Sequence, residues 1–66
     1  MLNGQVLKSD SDFDKAILFK TEVEVTQDGT LLGNGSVISH SQYTVKMADG
    51  YFFKDECEFT VCSVVH

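Results

Sequence analysis

Tyr43-Thr44-Val45-Lys46-Met47-Ala48-Asp49-Gly50-Tyr51-Phe52-Phe53 is the stretch that decides the fold. Tyr43, Val45 and Met47 fall on one side of an extended chain and Thr44 and Lys46 on the other, the period-two pattern of a half-buried strand. Asp49-Gly50 tolerates the positive φ of a tight hairpin, and an aromatic strand follows it. Two registers compete. A two-residue loop at Asp49-Gly50 pairs Met47 with Phe52 and sets Phe53 opposite Lys46. A three-residue loop, with Gly50 left-handed, pairs Met47 with Tyr51 and Val45 with Phe53. The second buries two aromatics instead of one, and at roughly 25 cal/mol per Å² of apolar surface the larger burial favours it. It leaves Phe52 outside, on the face of Lys46 and Lys54.

The same alternation runs outward in both directions. Upstream, Val23 and Val25 oppose Glu22, Glu24 and Thr26, and Gln27-Asp28-Gly29 reads as a turn. Leu31-Leu32 leads through Gly33-Asn34-Gly35 to Ser36-Val37-Ile38-Ser39, and His40-Ser41-Gln42 forms a polar connection. Downstream, Lys54-Asp55-Glu56 interrupts the pattern before a closing strand carrying Cys57, Phe59, Val61, Ser63 and Val65. The first twenty residues differ. Ser11 can cap a helix with Asp12 and Asp14 in its first turn and Phe13, Ala16 and Ile17 along one face. Such a helix spans at most two turns, and the competing reading starts a strand at Lys15–Phe19. The chain is expected to be mainly β: one domain over residues 1–66, a small antiparallel barrel of about five strands over residues 21–65, and a short N-terminal helix or turn. Its expected core is Val23, Val25, Val37, Val45, Met47, Phe53, Phe59 and Val61.

Composition bounds what such a domain can do. At 66 residues the chain buries only about 60% of the surface its unfolded form exposes, so a deep cleft or second domain is not expected. The 42% apolar content supports a compact core rather than disorder. The longest apolar run, Ala16-Ile17-Leu18-Phe19, is far short of the roughly 20 residues of a membrane span. Met1-Leu2-Asn3-Gly4 lacks the basic and apolar segments of a secretory signal, which points to the cytoplasm. Ten acids face five bases, all lysine, for a net charge of −5. Nucleic-acid binding draws on Lys and Arg at phosphates and on the Arg fork at bases. The absence of Arg and the acidic excess therefore argue against a nucleic-acid partner. They suit a soluble surface, or an acidic face that meets a basic protein.

The reactive side chains do not converge in the sequence. Cys57 and Cys62 on one strand would lie about 16 Å apart and point to opposite faces, beyond disulfide reach, so reduced thiols are expected. Cys57-x4-Cys62-x3-His66, with His40 as a fourth ligand, lacks the close cysteine pairs of zinc knuckles, and no metal or cofactor is expected. Glu56 and Glu58 flank Cys57 and should raise its thiol pKa, the reverse of what a nucleophile needs. Ser39-His40-Ser41 reads as a polar connection, because adjacent side chains point apart. Asp10, Asp12 and Asp14 mimic a calcium loop, but Lys15 and Thr21 stand where it needs Gly and Glu. Gly33-Asn34-Gly35 lacks the Lys-Ser/Thr and the helix of a phosphate loop.

The order Glu22–Val25, Gly35-Ser36-Val37-Ile38, Tyr43–Met47, Asp49–Phe53, a short acidic turn and Glu58–Val61 resembles the SH3-like small-barrel pattern. That pattern is shared by KOW-type domains and by small proteins of Gram-positive phages and prophages. The likeness covers about residues 21–63 and implies the barrel. Many KOW-type domains bind RNA or ribosomal partners through basic loops, and this acidic chain departs from them. The expected function is a small non-catalytic interaction module, phage- or prophage-encoded, a monomer or weak homodimer. It docks an as yet unidentified protein through the barrel surface or an edge strand, without membrane contact. The expected binding residues are Tyr43, Tyr51, Phe52, Lys46 and Lys54. The alternative is a nucleic-acid-associated accessory that stacks bases on those aromatics, or an acidic inhibitor of a nucleic-acid-binding protein.

Overall fold

The computed structural model describes residues 2–63. Helix α1 (Asp10–Leu18) precedes five strands: β1 (Glu22–Gln27), β2 (Thr30–His40), β3 (Thr44–Met47), β4 (Gly50–Phe53) and β5 (Glu58–Ser63). All pairings are antiparallel and the order is β4-β3-β2-β1-β5. This is the mainly β architecture with a short N-terminal helix that the alternation and the turn signals predict. The sheet is open: among the described residues no ladder joins β4 to β5. Val65, placed in the closing strand from the sequence, lies outside the described residues.

Strand β2 makes the sheet bend. Its first half pairs with β1 from Thr30 to Ser36, and its second half pairs with β3 from Val37 to His40. A bulge between Val37 and Ser39 sets two residues, Ile38 and Ser39, against Lys46, an irregularity that sharpens local twist. The bend turns Val23 and Val25 toward Val45 and Met47. With Val37, Phe59 and Val61 they form one core, joined by Leu7, Phe13 and Ala16. The Asp28-Gly29 turn is as expected: both residues take positive φ, 51° and 81°, between the paired Gln27 and Thr30.

The β3–β4 hairpin adopts neither register considered from the sequence. Its loop is Ala48-Asp49, so Met47 pairs with Gly50, Lys46 with Tyr51, Val45 with Phe52 and Thr44 with Phe53. Gly50 is the first strand residue, at φ 131°, rather than the last loop residue. The slip exchanges the faces of all three aromatics, because the side-chain period is two. Phe52 is half-buried against the core and Phe53 is 54% exposed, which corrects the expectation of a buried Phe53 and an outer Phe52. Phe52 fits because its ring lies over Gly33, where an added Cβ would come within 3.4 Å of the ring tip.

The helix is capped two residues earlier than Ser11. Ser9 is the N-cap: its hydroxyl accepts from the Asp12 N–H at 3.2 Å, and the Asp12 carboxylate accepts from the N–H groups of Ser9 and Lys8 at 3.2 and 3.0 Å. Phe13 and Ala16 face the core and Ile17 packs beside them, as their spacing predicts. Residues 4–7, unassigned from the sequence, run along β5. The Gly4 N–H donates to Val61 O, the Val61 N–H to Gln5 O and the Leu7 N–H to Phe59 O, at 2.7 to 2.8 Å. This strap covers the outer edge of β5 and buries Leu7.

Candidate functional site

With β5 strapped, β4 is the uncovered edge of the sheet. Ladder alternation sets which of its groups face outward. Lys54 N–H donates to Tyr43 O at 2.8 Å, so Gly50, Phe52 and Lys54 direct their backbone groups at β3. The N–H and C=O of Tyr51 and the N–H of Phe53 point the other way. The Phe53 carbonyl is used by Glu56 and Cys57, whose N–H groups donate to it at 3.2 and 3.1 Å as the chain turns toward β5. Among the described residues no backbone bond reaches the outward groups of Tyr51.

The side chains on the outer face of this corner are apolar. Tyr51 is 65% and Phe53 54% exposed, and Ile38, at the β2 bulge, is 53% exposed. Lys46 stands between them, its ammonium 5.6 Å from the centre of the Tyr51 ring. That distance is within cation–π range and holds the lysine stem across the aromatic surface. Exposed apolar side chains from β2 and β4 thus flank the one lysine that β3 presents on this face, forming a strip around a single cation.

The structure brings two of the five expected binding residues together on this strip, Lys46 and Tyr51. Phe52 lies on the opposite side of the sheet, against the core. Tyr43 is exposed, but alternation from Val45 sets it on the side away from Phe53. Lys54 is turned inward. Its ammonium donates to the Ser41 carbonyl, to Asp10 Oδ1 at 3.3 Å and to His40 Nδ1 at 3.1 Å, and sits 4.7 Å from the Phe13 ring centre. Sequence reasoning missed Phe53 and Ile38. Phe53 was legible only through the hairpin register, and Ile38 only through a bulge that no residue type in the stretch announces.

The Lys54 cluster joins α1 to the sheet. Because the ammonium can only donate, His40 Nδ1 accepts, and the proton of the neutral ring lies on Nε2, where it reaches Asp14 Oδ1 at 2.7 Å. Phe13 lies under the group, its ring centre 5.5 Å from His40 and 5.4 Å, edge-on, from Phe59. Both imidazole nitrogens are engaged. The neighbouring hydroxyl, Ser41 Oγ, bonds Thr44 Oγ1 at 2.8 Å instead. The cluster therefore fastens the helix across the end of β2, with no free nitrogen on His40 aimed at a hydroxyl.

Beside it, a cleft of about 290 Å³ is bounded by Val6, Leu7, Phe13, Lys54, Cys57 and Phe59, among others. Phe13 and Phe59 in its wall are only 1% and 2% exposed, so it is a packing seam between strap, helix and β5. Cys57 and Cys62 are both free thiols. Burial pushes the Cys57 thiol up, with Glu56 adding to it, so desolvation outranks the like-charge effect expected from the sequence. Burial, with Glu22 and Glu24, likewise raises Cys62. Thiols held above the usual range are poor nucleophiles near neutrality. Among the described residues no three His, Cys, Asp or Glu side chains gather as a metal site. His66 of the zinc pattern lies outside the described residues. Among the described residues no helix is long and apolar enough to cross a membrane.

No protein-family model matches this chain, and no curated protein or solved structure matches it.

Proposed function

We propose that this chain is a small non-catalytic interaction module of SH3-like type. It binds a protein partner through the outer face and free edge of β4. One observation carries the reading: Tyr51 and Phe53 both point outward from an uncovered edge strand, each more than half exposed. An exposed edge strand offers backbone hydrogen bonds to an added strand, and alternate side chains supply selectivity. Large exposed aromatics are the residues that anchor interfaces, whereas a monomer gains nothing by keeping them in water. The SH3-like part is supported by the order β4-β3-β2-β1-β5, with β5 returning to β1 after a short turn. The two free thiols support a reducing, cytoplasmic setting.

The test is selection of extended peptides from a random display library against the folded protein. Selected peptides should lose about tenfold or more in affinity for Tyr51→Ser and Phe53→Ser, since aromatic anchors are worth about 1–2 kcal/mol or more each. Both variants should melt within about 0.5 kcal/mol of the parent, because the side chains are exposed. Peptides that bind both variants as well as the parent would place recognition elsewhere and end the proposal.

A further inference from the structure

We infer that the segment taken by the β4 edge is an extended, basic one: a short strand with apolar side chains at its centre and lysine or arginine at both ends. This rests on the reading of β4 as the binding edge and adds the chemistry of its occupant.

The inference comes from how charge is distributed along the edge. Asp49 stands in the loop at one end of β4, its carboxylate turned back over Gly33, and Asp55 and Glu56 stand at the other end, all three exposed. None of them forms an ion pair among the described residues. The lysine between them in sequence, Lys54, does not offset them, because its ammonium is bound inward by Asp10, His40 and the Ser41 carbonyl. Lys46 lies one strand in from the edge, over the Tyr51 ring. The free row of backbone groups therefore has an apolar middle, Tyr51 and Phe53, between two acidic ends. A strand laid along it runs between the Asp49 end and the Asp55 and Glu56 end, whichever direction it takes. Basic ends are attracted and acidic ends repelled.

The same arrangement disfavours a second copy of the chain as the occupant. Two β4 strands paired antiparallel about Phe52 would bring Asp49 of one copy against Asp55 and Glu56 of the other, twice over, on molecules that each carry −5. Like charges placed opposite one another across a ladder are destabilising.

The probe is a set of capped synthetic pentapeptides with a constant Val-Thr-Val centre and ends of lysine, serine or glutamate. Each is titrated into the full chain at low salt, with affinity read by amide chemical shifts. The lysine-ended peptide should bind with shifts centred on Tyr51 and Phe53. It should bind about tenfold or more tighter than the glutamate-ended one, and it should weaken as salt rises. An Asp49→Asn, Glu56→Gln double variant should close that gap. N-methylation of the central peptide amides should abolish binding, because the added strand then loses its donors.

Equal binding of all three peptides, sensitive to Tyr51→Ser, would overturn the basic occupant and leave the edge reading standing. Lysine-dependent binding that survives N-methylation would overturn strand addition. Binding by none of them overturns the inference. A library selection that still returned peptides sensitive to Tyr51→Ser would then keep the edge reading alive, and one that returned none would remove both. Concentration-dependent dimers that show shifts at Tyr51 and Phe53 without peptide would assign the edge to a second copy.

Discussion

Phe52 and Phe53 are adjacent and chemically identical, yet the hairpin gives them opposite work. Phe52 packs its ring over Gly33 and against the core, while Phe53 stands more than half in solvent. Phe52→Ala should cost about 2–3 kcal/mol, below the full range for a buried Phe because the ring is only half-buried. Phe53→Ala should cost no more than about 0.5 kcal/mol. Denaturant melts of the two variants check the register directly. A larger loss for Phe53→Ala than for Phe52→Ala would mean that the hairpin pairs as a three-residue loop. Nothing in the dipeptide distinguishes the two rings; the difference lies in one residue of loop length. The observed register gives the Phe52 ring the space over Gly33 and leaves the Phe53 ring in solvent.

The helix shows how a short element is held by its ends. Nine residues of modest propensity would not persist alone. The capping box at Ser9 and Asp12 satisfies its first N–H groups, and Phe13 and Ala16 anchor it to the core. Backbone N–H groups of Lys8 and Ser9, aimed at the carboxylate, hold Asp12 below the usual aspartate pKa. The sign follows from linkage: a depressed folded pKa contributes stability that is fully present above the unfolded value near 3.9 and is lost as pH falls through the lower folded value. Asp12→Asn should flatten that acid limb, and Asp12→Ala should also cost about 1 kcal/mol at neutral pH. Melts of parent and variants between neutral and strongly acidic pH test this; identical acid limbs would show that the cap does not titrate with folding. The pattern Ser9-x-x-Asp12 was present to be read. It was overshadowed by Ser11, which has the same type and an equally acidic following turn.

At the scale of the molecule, the two sheet edges are treated differently. The strap of residues 4–7 closes the β5 edge with three backbone bonds and the buried Leu7, while β4 stays open. Leu7→Ala should cost about 2–3 kcal/mol, and by loosening the strap it should expose a second edge. Sedimentation of the variant at high concentration should then show self-association that the parent lacks. A variant destabilised but still monomeric would mean that the strap serves the core alone. The same asymmetry sets the candidate site, since a binding edge must be the one the fold leaves uncovered.

Period-two alternation, the Asp28-Gly29 turn and the polar breaks were enough, within the sequence, to determine a mainly β chain of five antiparallel strands, because burying one face of a strand requires that pattern. Of the eight core residues they named, Val23, Val25, Val37, Val45, Met47, Phe59 and Val61 are buried, and only Phe53, downstream of the slipped turn, is not. Tertiary structure alone decided the hairpin register, the inward turn of Lys54 onto residues 13, 14 and 44 positions away, and the pairing of residues 4–7 with β5. Each of these depends on contacts between segments distant in the chain, whose energies no local pattern records. The candidate site sits among them: Tyr51 and Lys46 were visible as residues, but the edge and the face that join them to Phe53 and Ile38 exist only once the sheet has closed its register.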